Sequence, residues 1–261
     1  MSPGFYTAWH YRRFLLDKLE VDLKEELSYL TQVAMKHPKN YQIWYYRREL
    51  LNRLNNPSVE LKFVKTILEI DEKNVHAWGY RQWVIQKFNL WTEELSYIEG
   101  LLEKDPRNNS AWNQRNFVVS NTKDIHSQAT KLQELEFAFK YAKENPNNES
   151  AWNYARSFFS PDVAKPTKQQ VMQIIQQKGY TRYLLQFLAF VYQKENKGEV
   201  ERGICLKLQA LDPIRKSYWR WRATAPEKNP GRDEVDLKLL PQLFPKPPGI
   251  TVMALYYSSK N

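Results

Sequence analysis

A short polar run, Lys39-Asn40-Tyr41-Gln42, combines side chains that could bind an anionic ligand. Asn40 stands four residues before Trp44, a position typical of a helix N-cap. At such a helix start, the free backbone N–H groups and the positive end of the helix dipole favour an anion. A flexible lysine ammonium beside them adds a mobile charge that can offset negative charge developing in a reaction. We therefore interpret Lys39 as an anion-binding residue and the first candidate for chemistry.

A second segment, KNVHAW, repeats part of this pattern and adds Asn74 and His76 as candidates. We interpret His76 as a candidate hydrogen-bonding residue, with a purely structural histidine as the alternative. A role as general base or metal ligand is disfavoured, because no second histidine or carboxylate cluster accompanies it. In the first segment, the neutral amide of Gln42 can bond a carboxylate without a large desolvation cost. The alternatives are an ordinary surface lysine at Lys39 and ordinary first-turn helix residues at Tyr41 and Gln42.

A repeat centred on tryptophan predicts the elements that carry these residues. Five tryptophans are separated by 35, 34, 34 and 40 residues, and arginine follows four of them at the third position. A period near 34 residues is typical of stacked helix pairs. We interpret the tryptophans as core residues, and Arg47, Arg81 and Arg115 as links between units or contacts to a partner. A phosphate-binding stripe is the alternative for these three arginines. The tryptophans are Trp9, Trp44, Trp78, Trp112 and Trp152, and the arginines are Arg12, Arg47, Arg81 and Arg115.

Helix signals recur at fixed positions around each tryptophan. Asparagine precedes four of the tryptophans by four residues, as an N-cap, and proline stands two residues before three of these asparagines, where it ends the preceding helix. An apolar stripe such as Leu61, Val64, Ile67 and Leu68 marks the second helix of a pair. An isolated pair could not bury this stripe, so neighbouring pairs must stack. The sequence therefore predicts an all-α fold, a right-handed α-α superhelix (solenoid) of helix-pair repeats. The asparagines are Asn40, Asn74, Asn108 and Asn148, and the prolines are Pro38, Pro106 and Pro146.

The repeats predict one large domain and a tail. The domain covers residues 1–222, with repeats near 5–37, 38–71, 72–105, 106–145 and 146–180 and a weaker one at 181–222 around Trp219. We interpret SPDVAKPTKQQ as an elongated connection before helices at about 168–178, 180–193 and 199–211. Residues 223–261 are rich in proline and are expected to form a divergent, mostly extended tail.

Composition narrows the class of protein. The 261 residues carry a net charge of +10, which fits nucleic acid, an anionic membrane surface, an anionic substrate or simply a basic solvated surface. A nucleic-acid-binding solenoid would repeat base-reading side chains at one position of each unit, and the residues after the caps form no such series. No apolar run reaches 18 residues, and the first 20 residues lack the pattern expected of a signal peptide. The single Cys205 excludes a disulfide framework or a cysteine-rich zinc site. We expect a cytoplasmic protein with no membrane insertion and no nucleic-acid partner.

The Asn-x-x-x-Trp-x-x-Arg repeat resembles that of protein prenyltransferase α subunits. Tetratricopeptide repeats share the period but have a small residue four positions after the tryptophan, where this chain has arginine, glutamine or asparagine. The resemblance is greatest to the α subunit shared by protein farnesyltransferase and type I geranylgeranyltransferase. The segments that carry it, over roughly residues 5–222, are PKNYQIWYYRR, HAWGYRQWVIQKFNLW, RNNSAWNQRNFVVSNT and NESAWNY.

The resemblance implies an enzyme that is active only as a heterodimer. A β subunit, an α-α barrel, would hold the catalytic zinc, and magnesium would accompany the isoprenoid diphosphate. The complex would transfer a farnesyl or geranylgeranyl group from that diphosphate to the cysteine of a protein that ends in a CaaX motif, a reaction used for membrane anchoring. The alternative is a helical-repeat scaffold that binds peptides without chemistry.

The resemblance also implies roles for individual residues. Lys39 matches the lysine that reaches the isoprenoid diphosphate, Tyr41 a tyrosine that lines the substrate cavity, and Gln42 a glutamine that bonds the C-terminal carboxylate of the peptide. Tyr6 matches a tyrosine near the last residue of the CaaX peptide.

In the next repeat, Asn74 and His76 match residues at the cavity and at the subunit interface. Val75 stands where the family has tyrosine, so this chain lacks that hydroxyl.

Overall fold

The computed structural model describes residues 5–224, which form α-helices and two short 3₁₀ helices and include no strand. The predicted all-α fold of helix-pair repeats is therefore confirmed for this range. The helices are α1 (Tyr6–Leu19), α2 (Leu23–Lys36), α3 (Tyr41–Leu54), α4 (Glu60–Ile70), α5 (Val75–Phe88), α6 (Glu94–Lys104), α7 (Asn109–Thr122), α8 (Gln128–Glu144), α9 (Glu149–Phe158), α10 (Ala164–Lys178), α11 (Arg182–Lys194), α12 (Gly198–Leu211) and α13 (Lys216–Thr224). No helix in this range is both long enough and apolar enough to span a bilayer.

The four predicted asparagine caps are confirmed. Each asparagine side chain accepts a hydrogen bond from the backbone N–H two residues later, and three of them also accept one from the third residue. These bonds satisfy backbone donors that a helix start otherwise leaves free. Each proline of the repeat lies two residues beyond the end of the preceding helix, at Lys36, Lys104 or Glu144.

The repeat tryptophans are core residues, as predicted, and they also close the loop before their helix. The indole Nε1–H of Trp44 donates to the carbonyl oxygen of Pro38 at 2.8 Å, and Trp78, Trp112 and Trp152 donate in the same way to the carbonyl six residues earlier. All of these tryptophans are buried. Since phenylalanine lacks this donor, the bond gives a physical reason for tryptophan at these positions.

Two compact units make up the described residues, and the first comprises residues 5–100 and 113–122. Within it, α1 packs on α3 and α3 packs on α5, so the first helices of successive pairs stack side by side. The second helices join this stack because α2 packs on α3 and α4 packs on α5. The starts of α1, α3 and α5 therefore lie close together.

Buried ion pairs join the two helices of a pair in this first unit, and further hydrogen bonds link them to neighbouring pairs. The guanidinium of Arg47 donates to both carboxylate oxygens of Glu60 at 2.7 and 2.8 Å, and both side chains are 0% exposed. Glu60 also accepts a hydrogen bond from the Tyr80 hydroxyl of the next pair at 2.6 Å. Arg81 forms the same paired contact with Glu94 in the following repeat. Each arginine also donates to the preceding pair, Arg47 to the hydroxyl of Thr31 at 2.9 Å and Arg81 to the carbonyl of Leu61 at 3.2 Å. These bonds confirm Arg47 and Arg81 as links between units. The phosphate-binding alternative is wrong for both, because carboxylates occupy their guanidinium groups.

The second unit comprises residues 101–112 and 123–224. Here α9 packs on α8 and α11, α12 packs on α11, and α13 packs on α12. An aromatic cluster fills the interior between α8, α9 and α11, with ring centroids 5.4 to 5.8 Å apart among Phe139, Trp152 and Phe187. Aromatic contacts at these distances stabilise a core beyond the area they bury.

Three expectations for this part of the chain need correction or fall outside the described range. The elongated connection is wrong, because a 3₁₀ helix at Pro161–Val163 leads directly into α10, whose first turn accommodates Pro166. Trp219 is buried and is the fourth residue of α13, as Trp44 is of α3, but its Nε1–H donates to the carboxylate of Asp212 instead of to a backbone carbonyl, and it lies after the helix pair α11 and α12. The predicted tail lies outside the described residues, apart from 223 and 224 at the end of α13.

Candidate functional site

The starts of α1, α3 and α5 bring predicted site residues of three repeats to one edge of the first unit. The rings of Tyr6 and Tyr41 lie 5.7 Å apart between centroids, which places the start of α1 beside that of α3. The side-chain amide of Asn74, the cap of α5, donates to the carbonyl of Pro38 at 3.1 Å, in the loop just before α3. The structure therefore groups residues that lie up to 68 positions apart in the sequence, from Tyr6 to Asn74.

Lys39 lies in this loop between α2 and α3 and is highly accessible. Its side chain is 77% exposed, and its Nζ lies 3.3 Å from Oδ2 of Asp71. The other oxygen of Asp71 accepts the backbone N–H of Lys73 at 3.2 Å, which fixes the carboxylate before α5. An ion pair this exposed contributes less than about 1 kcal/mol, so the ammonium can leave Asp71 for a stronger anion.

The backbone beside Lys39 is held firmly although the side chain is free to move. The carbonyl of the preceding Pro38 accepts two hydrogen bonds, from the indole of Trp44 at 2.8 Å and from the amide of Asn74 at 3.1 Å. One donor comes from the helix that follows the loop and the other from the next helix pair. A mobile ammonium on a fixed backbone suits an anion site, because little backbone ordering remains to be done on binding.

Exposed aromatic side chains flank the lysine. Tyr6 and Tyr41 are 55% and 48% exposed, and Tyr45 lies one helical turn after Tyr41 and is exposed as well. Phe5, next to Tyr6, is also exposed. A side-chain hydrogen bond with Tyr41 is the main cause that raises the pKa of Tyr6 above its ordinary value. Accessible aromatic surface of this kind, gathered at one place, is typical of a binding or interaction surface.

The structure gives Asn74, Gln42 and His76 different settings. Asn74 is 2% exposed, and both ends of its amide are used, since its oxygen caps α5 and its nitrogen bonds Pro38. Its position therefore favours a role in holding the loop of Lys39, while direct substrate contact stays a prediction. Gln42 and His76 are half-buried in the first turns of α3 and α5, and their backbone N–H groups bond the caps.

Sequence reasoning missed Asp71, although a recurring pattern could have revealed it. An aspartate or asparagine stands three residues before the helix cap in three repeats, as Asp71, Asp105 and Asn145. Each of these side chains accepts the backbone N–H two residues later, which forms an Asx turn between the helices of successive pairs. Asp71 differs from Asp105 and Asn145 only in its contact with Lys39, and this contact joins residues that are 32 positions apart in the sequence.

The chemistry available at this edge is anion binding beside an aromatic surface. The described residues contain no group of three or more histidine, cysteine, aspartate or glutamate side chains placed to hold a metal ion. Lys39 supplies a mobile positive charge, and Tyr6 and Tyr41 supply hydroxyl groups and apolar ring faces. These groups can bind and orient an anionic substrate with an apolar part.

Comparison with known proteins gives consistent matches along the chain. Residues 1–19, 23–54, 57–88, 91–122 and 132–160 match the family described as "Protein prenyltransferase alpha subunit repeat". A segment of 39 residues is 44% identical to the protein farnesyltransferase/geranylgeranyltransferase type-1 subunit alpha of Solanum lycopersicum. That segment spans 15% of this chain and 11% of the tomato protein.

The fold is also similar to that of a solved structure. A chain of the Candida albicans protein geranylgeranyltransferase-I complexed with GGPP superposes with a TM-score of 0.76 and 28% sequence identity. The superposition covers 85% of this chain and 79% of that chain.

Proposed function

This chain belongs to the protein prenyltransferase alpha subunit repeat family, and we propose that it is the α subunit of a heterodimeric protein prenyltransferase. The observation that carries this proposal is the position of Lys39, a mobile cation on a doubly anchored loop within the matched repeats. Similarity to the tomato subunit and to the Candida albicans enzyme, whose structure is a complex with GGPP, supports an isoprenoid diphosphate as the anion.

The proposed reaction forms a thioether between a protein cysteine and an isoprenoid chain. The cysteine sulfur attacks the first carbon of the farnesyl or geranylgeranyl group, and the bond from that carbon to the diphosphate oxygen breaks. Diphosphate leaves with the electron pair of the broken bond. Lys39 offsets the negative charge that grows on this leaving group, because its ammonium can turn from Asp71 toward the diphosphate.

Metal ions in this proposal lie outside this chain. A β subunit would hold zinc, which lowers the pKa of the cysteine thiol, and magnesium would accompany the diphosphate. The contribution of this chain is to bind and orient the two substrates.

The peptide end of the substrate would lie beside the aromatic groups at the starts of α1 and α3. Gln42 would donate its amide to the C-terminal carboxylate of the CaaX sequence, and Tyr6 and Tyr41 would contact the last residues of the peptide. His76 would face the β subunit or the cavity at the start of α5. The exposed rings of Phe5, Tyr6, Tyr41 and Tyr45 supply apolar surface that a β subunit and a peptide could cover together.

Co-expression with a β subunit tests this function. The chain would be produced with a farnesyltransferase-type β chain and, separately, with a geranylgeranyltransferase-type β chain. Each purified complex would be supplied with zinc, magnesium, a CaaX peptide and labelled farnesyl or geranylgeranyl diphosphate. We expect transfer that requires both chains. Failure to associate with either β chain would contradict the proposal and favour a peptide-binding scaffold.

A further inference from the structure

A cavity in the second unit carries a concentration of positive charge that the proposed function does not use. It lies among α9, α11, the 3₁₀ helix Pro213–Arg215 and α13, and its volume is about 260 Å³. Three arginines and three aromatic residues contribute most of its lining. They are Arg156, Arg215, Arg222, Phe190, Tyr218 and Trp219.

Carboxylates neutralise two of the three arginines. Arg215 Nε lies 2.7 Å from the buried carboxylate of Asp212, and Arg222 Nε lies 2.6 Å from Glu201. Asp212 also accepts the indole N–H of Trp219 at 2.9 Å, so the same carboxylate fixes one aromatic wall. These contacts hold the side chains on this side of the cavity in fixed positions.

Arg156 is the exception, because no hydrogen bond or ion pair joins its side chain to another residue in the range 5–224. Its Nε is buried without a hydrogen-bond partner, and its guanidinium carbon lies 5.8 Å from the ring centre of Phe190. Glu149 on the same helix attracts it only through space. Burial lowers the pKa of Arg156 below its ordinary value, and the neighbouring Arg222 and Arg215 lower the pKa further.

An uncompensated cation in a partly buried cavity destabilises a folded protein. Arrangements of this kind are typical of functional sites, where a ligand supplies the missing counter-ion. The charge balance defines the ligand: one guanidinium lacks a partner, so one negative charge completes the site. A planar carboxylate matches the two parallel donors of a guanidinium, and the aromatic walls suit an apolar body.

We propose that this cavity binds a carboxylate attached to an aromatic or other apolar group, with Arg156 as its counter-ion. The carboxylate takes two hydrogen bonds from the guanidinium of Arg156, and the apolar group packs against Phe190 and Trp219. A free aromatic acid and the C-terminal carboxylate of a peptide share this chemistry. Inorganic phosphate fits less well, because Arg215 and Arg222 are already paired with carboxylates and cannot neutralise its second negative charge.

The test uses the full-length chain and ¹⁹F NMR titrations of 4-fluorobenzoate and its neutral analogue 4-fluorobenzamide. We expect 4-fluorobenzoate to bind at least about tenfold more tightly, because a charge-assisted hydrogen bond is lost in the amide. N-acetylphenylalanine and inorganic phosphate, added as competitors, distinguish a peptide end and a phosphate from a free acid. Displacement by N-acetylphenylalanine at lower concentration than by benzoate would assign the site to a peptide end.

Variants separate the charge of Arg156 from its shape. Arg156→Gln should weaken 4-fluorobenzoate binding at least about tenfold, and Arg156→Lys should weaken it less, because the charge remains while the planar pair of donors is lost. Arg220→Gln is the matched control, since Arg220 lies exposed on α13 and does not line the cavity. The control should bind as tightly as the unaltered chain.

Thermal unfolding without ligand supplies a second readout that guards against a folding defect. Arg156→Gln should unfold at the same temperature as the unaltered chain or higher, because it removes a charge without a counter-ion. Equal binding of acid and amide, unchanged binding in Arg156→Gln, or tighter binding of phosphate than of 4-fluorobenzoate would overturn the proposal. A clear drop in the unfolding temperature of Arg156→Gln would assign the arginine a structural role instead.

Discussion

Replacement of Asp71 by asparagine should strengthen binding of the isoprenoid diphosphate by releasing Lys39. The two side chains approach to 3.3 Å, but the lysine is 77% exposed and the aspartate 28% exposed, so solvent screens their attraction. Exposed pairs of this kind contribute about 0.2 to 1 kcal/mol, which corresponds to about 1.5- to 5-fold in an equilibrium constant. The diphosphate has to overcome this attraction before it can bind the ammonium. Asp71→Asn should therefore lower the KM for the diphosphate by about that factor and leave kcat nearly unchanged.

The substitution is conservative at this position. An asparagine oxygen can still accept the backbone N–H of Lys73, so the turn before α5 is retained. Asp105→Asn is the matched control, because Asp105 forms the same turn with Arg107 at 2.9 Å and has no ion pair with a described lysine or arginine. The control should change neither KM nor kcat.

A double-mutant cycle shows whether the effect passes through the lysine. Steady-state transfer would be measured with the heterodimer for Asp71→Asn, Lys39→Ala and the double variant. The fall in KM should disappear when Lys39 is already alanine. A fall of the same size in both backgrounds would refute the reasoning, since Asp71 would then act on the diphosphate directly.

Three further predictions concern the fold and its groups. Glu60→Gln leaves the guanidinium of Arg47 buried without a counter-ion. It should therefore lower the free energy of unfolding by about 3 to 5 kcal/mol in urea titrations. The surface control Glu199→Gln should lower the free energy of unfolding by less than about 0.5 kcal/mol. Trp44→Phe removes the indole donor to the loop carbonyl and should cost at least about 1 kcal/mol in the same assay; no loss of stability would contradict the closing role of the indole. Burial raises the pKa of Cys205 to about 11, so the thiol should stay protonated at pH 8. It should then react with a disulfide reagent far more slowly in the native protein than in the protein unfolded in guanidinium chloride. Equal rates in the two conditions would show that the thiol is accessible.

Local signals made much of the fold predictable. The asparagine caps and the prolines act within a few residues, so Asn40 and Pro38 could be interpreted from the sequence alone. The core position of Trp44 was predictable from a different signal, the regular period of about 34 residues between the tryptophans. The start of α10 was less predictable, because Pro166 is tolerated only in the first turn of a helix and the sequence does not show which turn it occupies.

Contacts between helices were harder to predict because they join distant positions. The partner of Arg47 lies 13 residues away, and the tyrosine that shares Glu60 lies 20 residues further on. The link between Lys39 and Asp71 and the cavity around Arg156 likewise depend on which helices meet. Residue type and spacing indicated candidate functional residues, but the residues that they contact could be identified only from the packing of the helices.

The most direct test of the central claim is single-turnover transfer by the heterodimer of Lys39→Ala with a β subunit. Because the lysine is exposed and its ion pair weak, pairing and stability should match those of the unaltered complex. Transfer to a CaaX peptide should fall by about 10- to 100-fold, the range expected when one group that stabilises developing charge is lost. Equal rates for the two complexes would contradict the assignment of Lys39 to the diphosphate.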